Sequence, residues 1–198
     1  MVEFELNDFD AFDGNAKYNN LKIQKAQHKL KMLKISLHRK FKDKYGIDFK
    51  SNIGGYYPPN YPIDSLWLSF TQREGRAYVP YPQLNVGINA KGLEIFFLLV
   101  DKARVKTGQR IWEKYCNNLK NGLNKNHLLP IKGKKIKING DNDIGNALKY
   151  IDPYGLWIHK EIDNENAVNL KSEVSTKLFE TLEQLFPIYK IAMAPTIK

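Results

Sequence analysis

This sequence contains almost no cysteine and no long apolar run. The single cysteine, Cys116, excludes an internal disulfide, so the fold must be stable without covalent cross-links. The longest apolar run, around residues 95–100, has the length of a strand and is too short to cross a bilayer. No apolar leader opens the chain, and such sparse use of cysteine fits a reducing compartment. We therefore expect a cytoplasmic protein without a membrane partner.

Motifs for metal, phosphate and nucleophile chemistry are also missing. The histidines are scattered, at positions 28, 38, 127 and 159, and Cys116 has no second ligand at the spacing of a zinc site. No Gly-x-Ser-x-Gly turn is present, and Gly54-Gly55 does not have the spacing of a phosphate-binding loop. Asp141-Asn142-Asp143 fits an ordinary turn better than a nuclease centre. The sequence thus predicts no catalytic residue, no metal site and no cofactor, and it favours a binding protein over an enzyme without excluding the enzyme.

Acidic side chains are nearly missing from residues 17–44. This segment contains ten basic residues and one acid, Asp43, so it carries a net charge of +9 out of +10 for the whole chain. Concentrated charge makes a directional field that attracts polyanions. The segment is therefore the best indication of a partner that the sequence contains.

The same segment has the pattern of one long amphipathic helix. Apolar residues recur at alternating three- and four-residue steps: Ile23, Ala26, Leu30, Leu33, Leu37 and Phe41. Asn19 or Asn20 is the expected N-cap and Gly46 the expected C-terminal cap. With the stripe buried, one exposed flank carries Lys22, Lys25, Lys29, Arg39 and Lys40. A merely solvated face is the alternative, but such a face normally carries Glu four residues from Lys, and here Glu is missing.

The rest of the pattern predicts an α+β fold in a single domain over residues 1–198. We expect a mostly antiparallel sheet packed by the basic N-terminal helix and a C-terminal helix. The predicted strands are residues 66–70, 83–88, 93–100, 131–138 as a lysine-rich edge, and 156–162. Residues 51–65 are expected to form a rigid aromatic loop and residues 117–126 a second loop. The C-terminal helix is expected to end at Pro187.

Aromatic side chains are concentrated after the basic helix, beside Arg73 and Arg76. They are Tyr56, Tyr57, Tyr61, Trp67 and Tyr78. Rings beside cationic groups suit base stacking, because every base has a π-face and every nucleotide a phosphate. The alternative is that these rings only pack a proline-rich loop.

Four stretches in order resemble the YktB-like family of small conserved proteins of unknown function. They are Asp8-Phe9-Asp10-Ala11-Phe12, Pro62-Ile63-Asp64-Ser65-Leu66-Trp67, Arg76-Ala77-Tyr78 with Pro82 to Gly87, and Leu185-Phe186-Pro187-Ile188-Tyr189. The resemblance implies an α+β fold with a mostly antiparallel sheet and implies no activity. The family's His-x-x-x-His-x-Arg-Arg segment has no counterpart in residues 51–61, so no role of those residues carries over.

Three functions are compatible with these features. The first is a nucleic-acid-binding module, with DNA favoured over RNA, in which the basic helix contacts phosphates and the aromatic loop holds a base. Its size suits the DNA-recognition domain of a larger restriction or defence system with further subunits or domains. The second is an enzyme acting on a phosphorylated or nucleotide-like substrate, with Arg73, Arg76 and Lys91 binding the anion. The third is an adaptor whose basic helix binds an acidic protein.

Overall fold

The computed structural model describes residues 2–13, 17, 20–54, 62–73, 79–105, 107–126, 135–137 and 155–194. These residues form an α+β fold, and the predicted fold class is confirmed. The helices are α1 (Leu6–Phe9), α2 (Leu21–Tyr45), α3 (Gln109–Asn126), α4 (Asn164–Asn169) and α5 (Val174–Met193). The strands are β1 (Lys50–Gly54), β2 (Ser65–Thr71), β3 (Gln83–Asn89), β4 (Gly92–Leu99), β5 (Lys135–Lys137) and β6 (Leu156–Asp163).

The strands form one antiparallel sheet with the order β1-β2-β3-β4-β6-β5. The lysine-rich strand β5 pairs antiparallel with β6 in the register Ile136 opposite Ile158, and it lies at the end of the strand order. The predicted edge strand is therefore confirmed over residues 135–137. Its lysines discourage pairing with another chain. Of the helices in the described residues, none has the length and apolar content that crossing a bilayer requires.

The chain divides into two compact units, and several strands and α5 supply residues to both. Unit 1 comprises Met1–Phe70, Asn85–Ile95 and Glu161–Thr181, and unit 2 comprises Thr71–Leu84, Phe96–Lys160 and Leu182–Lys198. Each unit has its own buried apolar side chains.

The core of unit 1 is built on α2. All six predicted stripe residues are buried: Ile23, Ala26, Leu30, Leu33, Leu37 and Phe41. The Phe41 ring contacts Phe49, Phe179 and Phe70 at centroid distances of 4.9, 5.0 and 6.1 Å. Tilted and edge-on ring pairs at such distances are favourable. This cluster therefore holds α2 against the chain before β1, against β2 and against the first part of α5.

Both ends of α2 are capped by the residues that the sequence predicted. The Asn20 side chain accepts a hydrogen bond of 2.8 Å from the backbone N–H of Lys22. At the other end Gly46 adopts the left-handed conformation with φ of 66°, and its N–H donates to the carbonyl of Lys42 at 2.9 Å. Glycine takes this conformation without the steric cost that a Cβ imposes. The bounds of the basic helix are thus determined locally.

In unit 2 the predicted loop at residues 117–126 is wrong, because α3 continues to Asn126. Asn118 donates from Nδ2 to the carbonyls of Ala192 and Ala194, both at 2.8 Å. A Cβ on Gly122 would overlap the Ile191 side chain, so the missing side chain lets α5 approach closely. These long-range contacts outweigh the weak helix propensity of Asn and Gly.

The predicted end of the C-terminal helix at Pro187 is also wrong. Helix α5 runs through Pro187 to Met193. A proline inside a helix removes a hydrogen bond and costs about 3 kcal/mol. Leu185, Phe186, Ile188 and Tyr189 around it are buried, and the Tyr189 hydroxyl accepts a 2.6 Å hydrogen bond from the backbone N–H of Gln72. Burial of these side chains within unit 2 offsets the cost.

The predicted aromatic loop begins later than expected. Residues 51–54 belong to β1, where a Cβ on Gly54 would overlap the indole ring of Trp67 on β2. Trp67 therefore packs over the glycine and holds β1 beside β2. The expectation failed because Ser51 to Gly54 has little of the β-branched and alternating pattern of a strand. Residues 55–61 lie outside the described residues.

We expect Leu30→Ala and Leu37→Ala each to lower the free energy of unfolding by about 2–5 kcal/mol, because both side chains are fully buried. Ile35→Ala is the matched control on the same helix, since Ile35 is 60% exposed, and we expect a change within about 0.5 kcal/mol. Urea melts measure all three. Similar small changes in all three variants would contradict burial of the stripe.

Candidate functional site

The exposed surface of α2 presents cations on two flanks. Among the five basic residues that the sequence assigned to this helix's binding flank, Lys22, Lys25 and Arg39 are exposed. Lys31 and Lys42 are exposed on a second flank, which lies on the other side of the buried stripe. None of these five side chains forms an ion pair with a residue that the structure describes. At a rise of ~1.5 Å per residue the helix is about 37 Å long, so these cations are distributed along an extended surface.

Lys29, a further predicted phosphate contact, has a carboxylate partner. Its ammonium lies 2.6 Å from Oδ2 of Asp8, a side chain that is 7% exposed. The same oxygen accepts a 2.7 Å hydrogen bond from the backbone N–H of Glu5, and the ammonium lies 5.7 Å from the centre of the Phe4 ring. A charge-assisted hydrogen bond of this length is strong. Lys29 thus ties α1 to α2, and the charge of its ammonium is compensated.

Lys40 has contacts with its neighbours, as Lys29 does, but none of its partners among the described residues is charged. Its ammonium lies 5.7 Å from the centre of the Phe179 ring and donates a long, 3.4 Å hydrogen bond to Oγ1 of Thr176, both on α5. The side chain is half-buried, but these partners are neutral and leave its positive charge in place. Lys40 therefore contributes to the field of the helix while its stem packs on α5.

Apolar side chains interrupt the exposed cations. Leu21 is 66% exposed, Ile35 is 60% exposed and Met32 is 39% exposed. Single exposed apolar residues are ordinary on protein surfaces. Three of them on the outward side of one basic helix form a surface that phosphate contacts alone would not bury.

A surface cavity of about 400 Å³ lies beside the first turns of α2. Its lining includes Lys25 and His28 but also the carboxylates of Glu5 and Asp8, and the remaining lining residues are Leu21, Gln24 and Lys29. Because both signs of charge are present, the cavity does not select anions. A second cavity, of about 420 Å³, has Lys91 beside Glu161 and Asp163, so the anion-binding role predicted for Lys91 in the enzyme alternative gains no support from its surroundings.

The aromatic part of the predicted site is described only at Trp67. Its ring is half-buried and packs over Gly54. Arg73 is half-buried in unit 2. Tyr56, Tyr57, Tyr61, Arg76 and Tyr78 lie outside the described residues. Base stacking by this group stays a prediction.

Sequence reasoning missed a contact between α2 and β1. His38, on the flank of α2 that carries Lys31 and Lys42, has Nε2 2.7 Å from Oγ of Ser51. Its other ring nitrogen, Nδ1, lies 4.0 Å from Oδ1 of Asp48. A search for metal-ligand spacing overlooks this histidine, because no second histidine lies at that spacing. No short motif joins these three residues, and only the turn between helix and strand brings them together.

No family model matches the chain, and no curated protein is significantly similar to it. The resemblance to the YktB-like family therefore stays a prediction.

The different surroundings of Lys25 and Lys29, one helical turn apart, give a direct test. We expect Lys29→Gln to lower the free energy of unfolding by roughly 1–3 kcal/mol, because the buried Asp8 carboxylate loses its charged partner. The exposed Lys25 is the matched control, and Lys25→Gln should stay within about 0.5 kcal/mol of the wild type. Urea melts at neutral pH measure both. A loss for Lys25→Gln as large as that for Lys29→Gln would contradict this division of roles.

Proposed function

We propose that the protein is a nucleic-acid-binding module, most suited to DNA, in which α2 lies along the phosphate backbone. One observation carries the proposal: five exposed cations on the two flanks of α2 have no ion-pair partner among the described residues. They are Lys22, Lys25, Lys31, Arg39 and Lys42. Uncompensated charges fixed on a rigid helix are costly to the free protein and favourable next to a polyanion.

The cost to the free protein has two parts. Lys22 and Lys25 are three residues apart on the helix surface, where like charges repel. Both also lie in the first turns, where the helix dipole is positive and disfavours cations. A phosphate bound beside Lys22 and Lys25 would reduce both the repulsion between the two cations and their unfavourable interaction with the helix dipole. The positive end of the helix dipole would add to the attraction.

The expected mode of binding is largely independent of base sequence. Each phosphate that a Lys or Arg neutralises releases a condensed counterion, which makes affinity fall steeply with salt. Backbone contacts of this kind position a protein on DNA without reading the bases. In this proposal, any selectivity for bases comes from the aromatic residues around Trp67.

We expect the triple variant K22Q/K25Q/R39Q to bind duplex DNA more weakly and with a shallower salt dependence. On B-DNA the slope of log affinity against log salt should decrease by up to about 0.9 for each phosphate that the variant leaves without a cation. Fluorescence anisotropy with a labelled duplex, from ~50 to ~200 mM salt, measures both quantities.

The matched control is the triple variant R110Q/K114Q/K190Q. It removes the same charge from exposed side chains of α3 and α5 and leaves α2 intact. Its salt slope should equal that of the wild type. Equal slopes in both triple variants would show that only net charge matters, and a wild type that retains no DNA or RNA at ~50 mM salt would end the proposal.

The adaptor alternative has one observation of its own, the exposed Leu21, Met32 and Ile35 among the lysines. An acidic amphipathic helix would bury these side chains and pair with the flanking cations. The double variant L21S/I35S separates the two functions, because it removes apolar surface without changing charge. DNA binding should persist in this variant, whereas binding to an acidic protein would be lost.

A further inference from the structure

A hydroxyl, an imidazole and a carboxylate lie in a row where α2 contacts β1. Ser51 on β1 is hydrogen-bonded to Nε2 of His38 at 2.7 Å, and Asp48, in the connection between the two elements, approaches Nδ1 at 4.0 Å. In this order an imidazole can activate a nucleophile. The Asp48 carboxylate is 80% exposed and beyond hydrogen-bond distance, so it acts on the ring through its charge. All three residues belong to unit 1.

The surroundings of His38 favour the neutral imidazole that a general base requires. Burial lowers the pKa of His38, and Lys34, one turn earlier on α2, lowers it further, whereas Asp48 raises it. The Phe70 ring, which is uncharged, lies 5.4 Å from the His38 ring between centroids. A carboxylate near Nδ1 favours the tautomer with its proton there, which leaves Nε2 to accept the proton of Ser51.

Ser36 shows what an ordinary hydroxyl contact on this helix looks like. Its Oγ lies 2.6 Å from Oγ of Ser175, so one hydroxyl satisfies the other. Neither group of that pair is a base at neutral pH. Ser51 differs from Ser36 in the partner that its hydroxyl has, and that partner is able to take a proton.

We propose that Ser51 is a nucleophile for acyl transfer, with His38 as its general base and Asp48 as the residue whose charge favours the proton on Nδ1 of His38. The substrate class is an ester that carries a negative charge. This activity does not depend on nucleic-acid binding, since the contacts among Ser51, His38 and Asp48 involve no cation of the proposed interface. Only the charge preference for the substrate involves Lys31 and Lys42, which that interface also uses.

The reaction balances with water as the only co-reactant. Oγ of Ser51 forms a bond to the ester carbonyl carbon while its proton moves to Nε2 of His38. The carbon–oxygen bond to the leaving group then breaks, and the alkoxide takes the proton from Nε2. Water attacks the acyl-serine, gives a proton to Nε2, and Ser51 recovers that proton as the acid leaves.

The charge of the substrate follows from the flank that His38 shares. Lys31, Lys34 and Lys42 recur with His38 at three- and four-residue steps, so they lie on the same side of α2. The only acid on the helix, Asp43, lies elsewhere around it. An anionic group on the substrate would be attracted to this side, and a neutral ester would gain nothing from it.

The first experiment treats the full chain with a fluorophosphonate probe, followed by mass spectrometry of the labelled peptide. We expect label on Ser51, none there in Ser51→Ala, and labelling slower by about 10²-fold or more in His38→Gln. Ser36→Ala is the matched control and should be labelled like the wild type. Urea melts establish that each variant is folded.

The substrate class is tested with two nitrophenyl esters, mono-4-nitrophenyl succinate and 4-nitrophenyl acetate. We expect release of nitrophenolate to have the higher kcat/KM with the anionic succinate ester. In Lys34→Gln this preference should shrink. An equal kcat/KM for both esters would overturn the assignment of an anionic substrate.

A second readout uses Ser51→Cys, whose alkylation by iodoacetamide reports the thiolate. Pairing with His38 should make the introduced thiol reactive as a thiolate at pH values below about 8.5, the pKa of an ordinary thiol. Asp48→Asn should lower the pKa of the His38 limb in the rate profile, because a negative charge is removed, and Lys34→Gln should raise it. A merely structural hydrogen bond would leave an ordinary thiol profile in every background. An ordinary thiol profile in every background would overturn the proposal. So would absence of label on the wild type, or label that persists in Ser51→Ala.

Discussion

Burial of the apolar stripe of α2 is the constraint on which the other features of unit 1 depend. Phe41 lies at its centre, with Phe49, Phe70 and Phe179 around it. Successive helical residues are separated by ~100°, so the stripe fixes the rotation of the helix as well as its position. A shift by one residue would expose Leu30 and Leu37 and bury charged side chains, which is unfavourable. The direction in which every lysine points therefore follows from the core.

The fixed rotation sorts the cations into different roles. Lys29 points toward α1, where the Asp8 carboxylate compensates its charge. Lys40 points toward α5, where it contacts neutral groups. Lys22, Lys25 and Arg39 point to solvent. Sequence spacing groups all five on one flank, and only the neighbouring elements distinguish them. Counting basic residues on a helix thus overestimates the number available to a partner.

The features that the sequence predicted well are those that local physics determines. The stripe, the Asn20 and Gly46 caps and the hairpin strands β3 and β4 depend on residues close together in the chain. The errors have the opposite character. Helix α3 continues because Asn118 binds carbonyls more than seventy residues away, and α5 passes Pro187 because distant side chains pack around it. The contact of His38 with Ser51 also depends on how the chain turns after Gly46.

The rotation set by the core also bears on how a polyanion would be bound. Cations on a disordered tail lose conformational freedom when they bind phosphate, whereas the backbone of α2 is already ordered by its caps and its buried stripe. The remaining entropy cost is that of the Lys and Arg side chains themselves. Cations held in this way favour a straight, regularly charged partner over a flexible one. Among polyanions, double-stranded DNA has that stiffness, with a persistence length of about 50 nm, which is the physical reason for preferring it here.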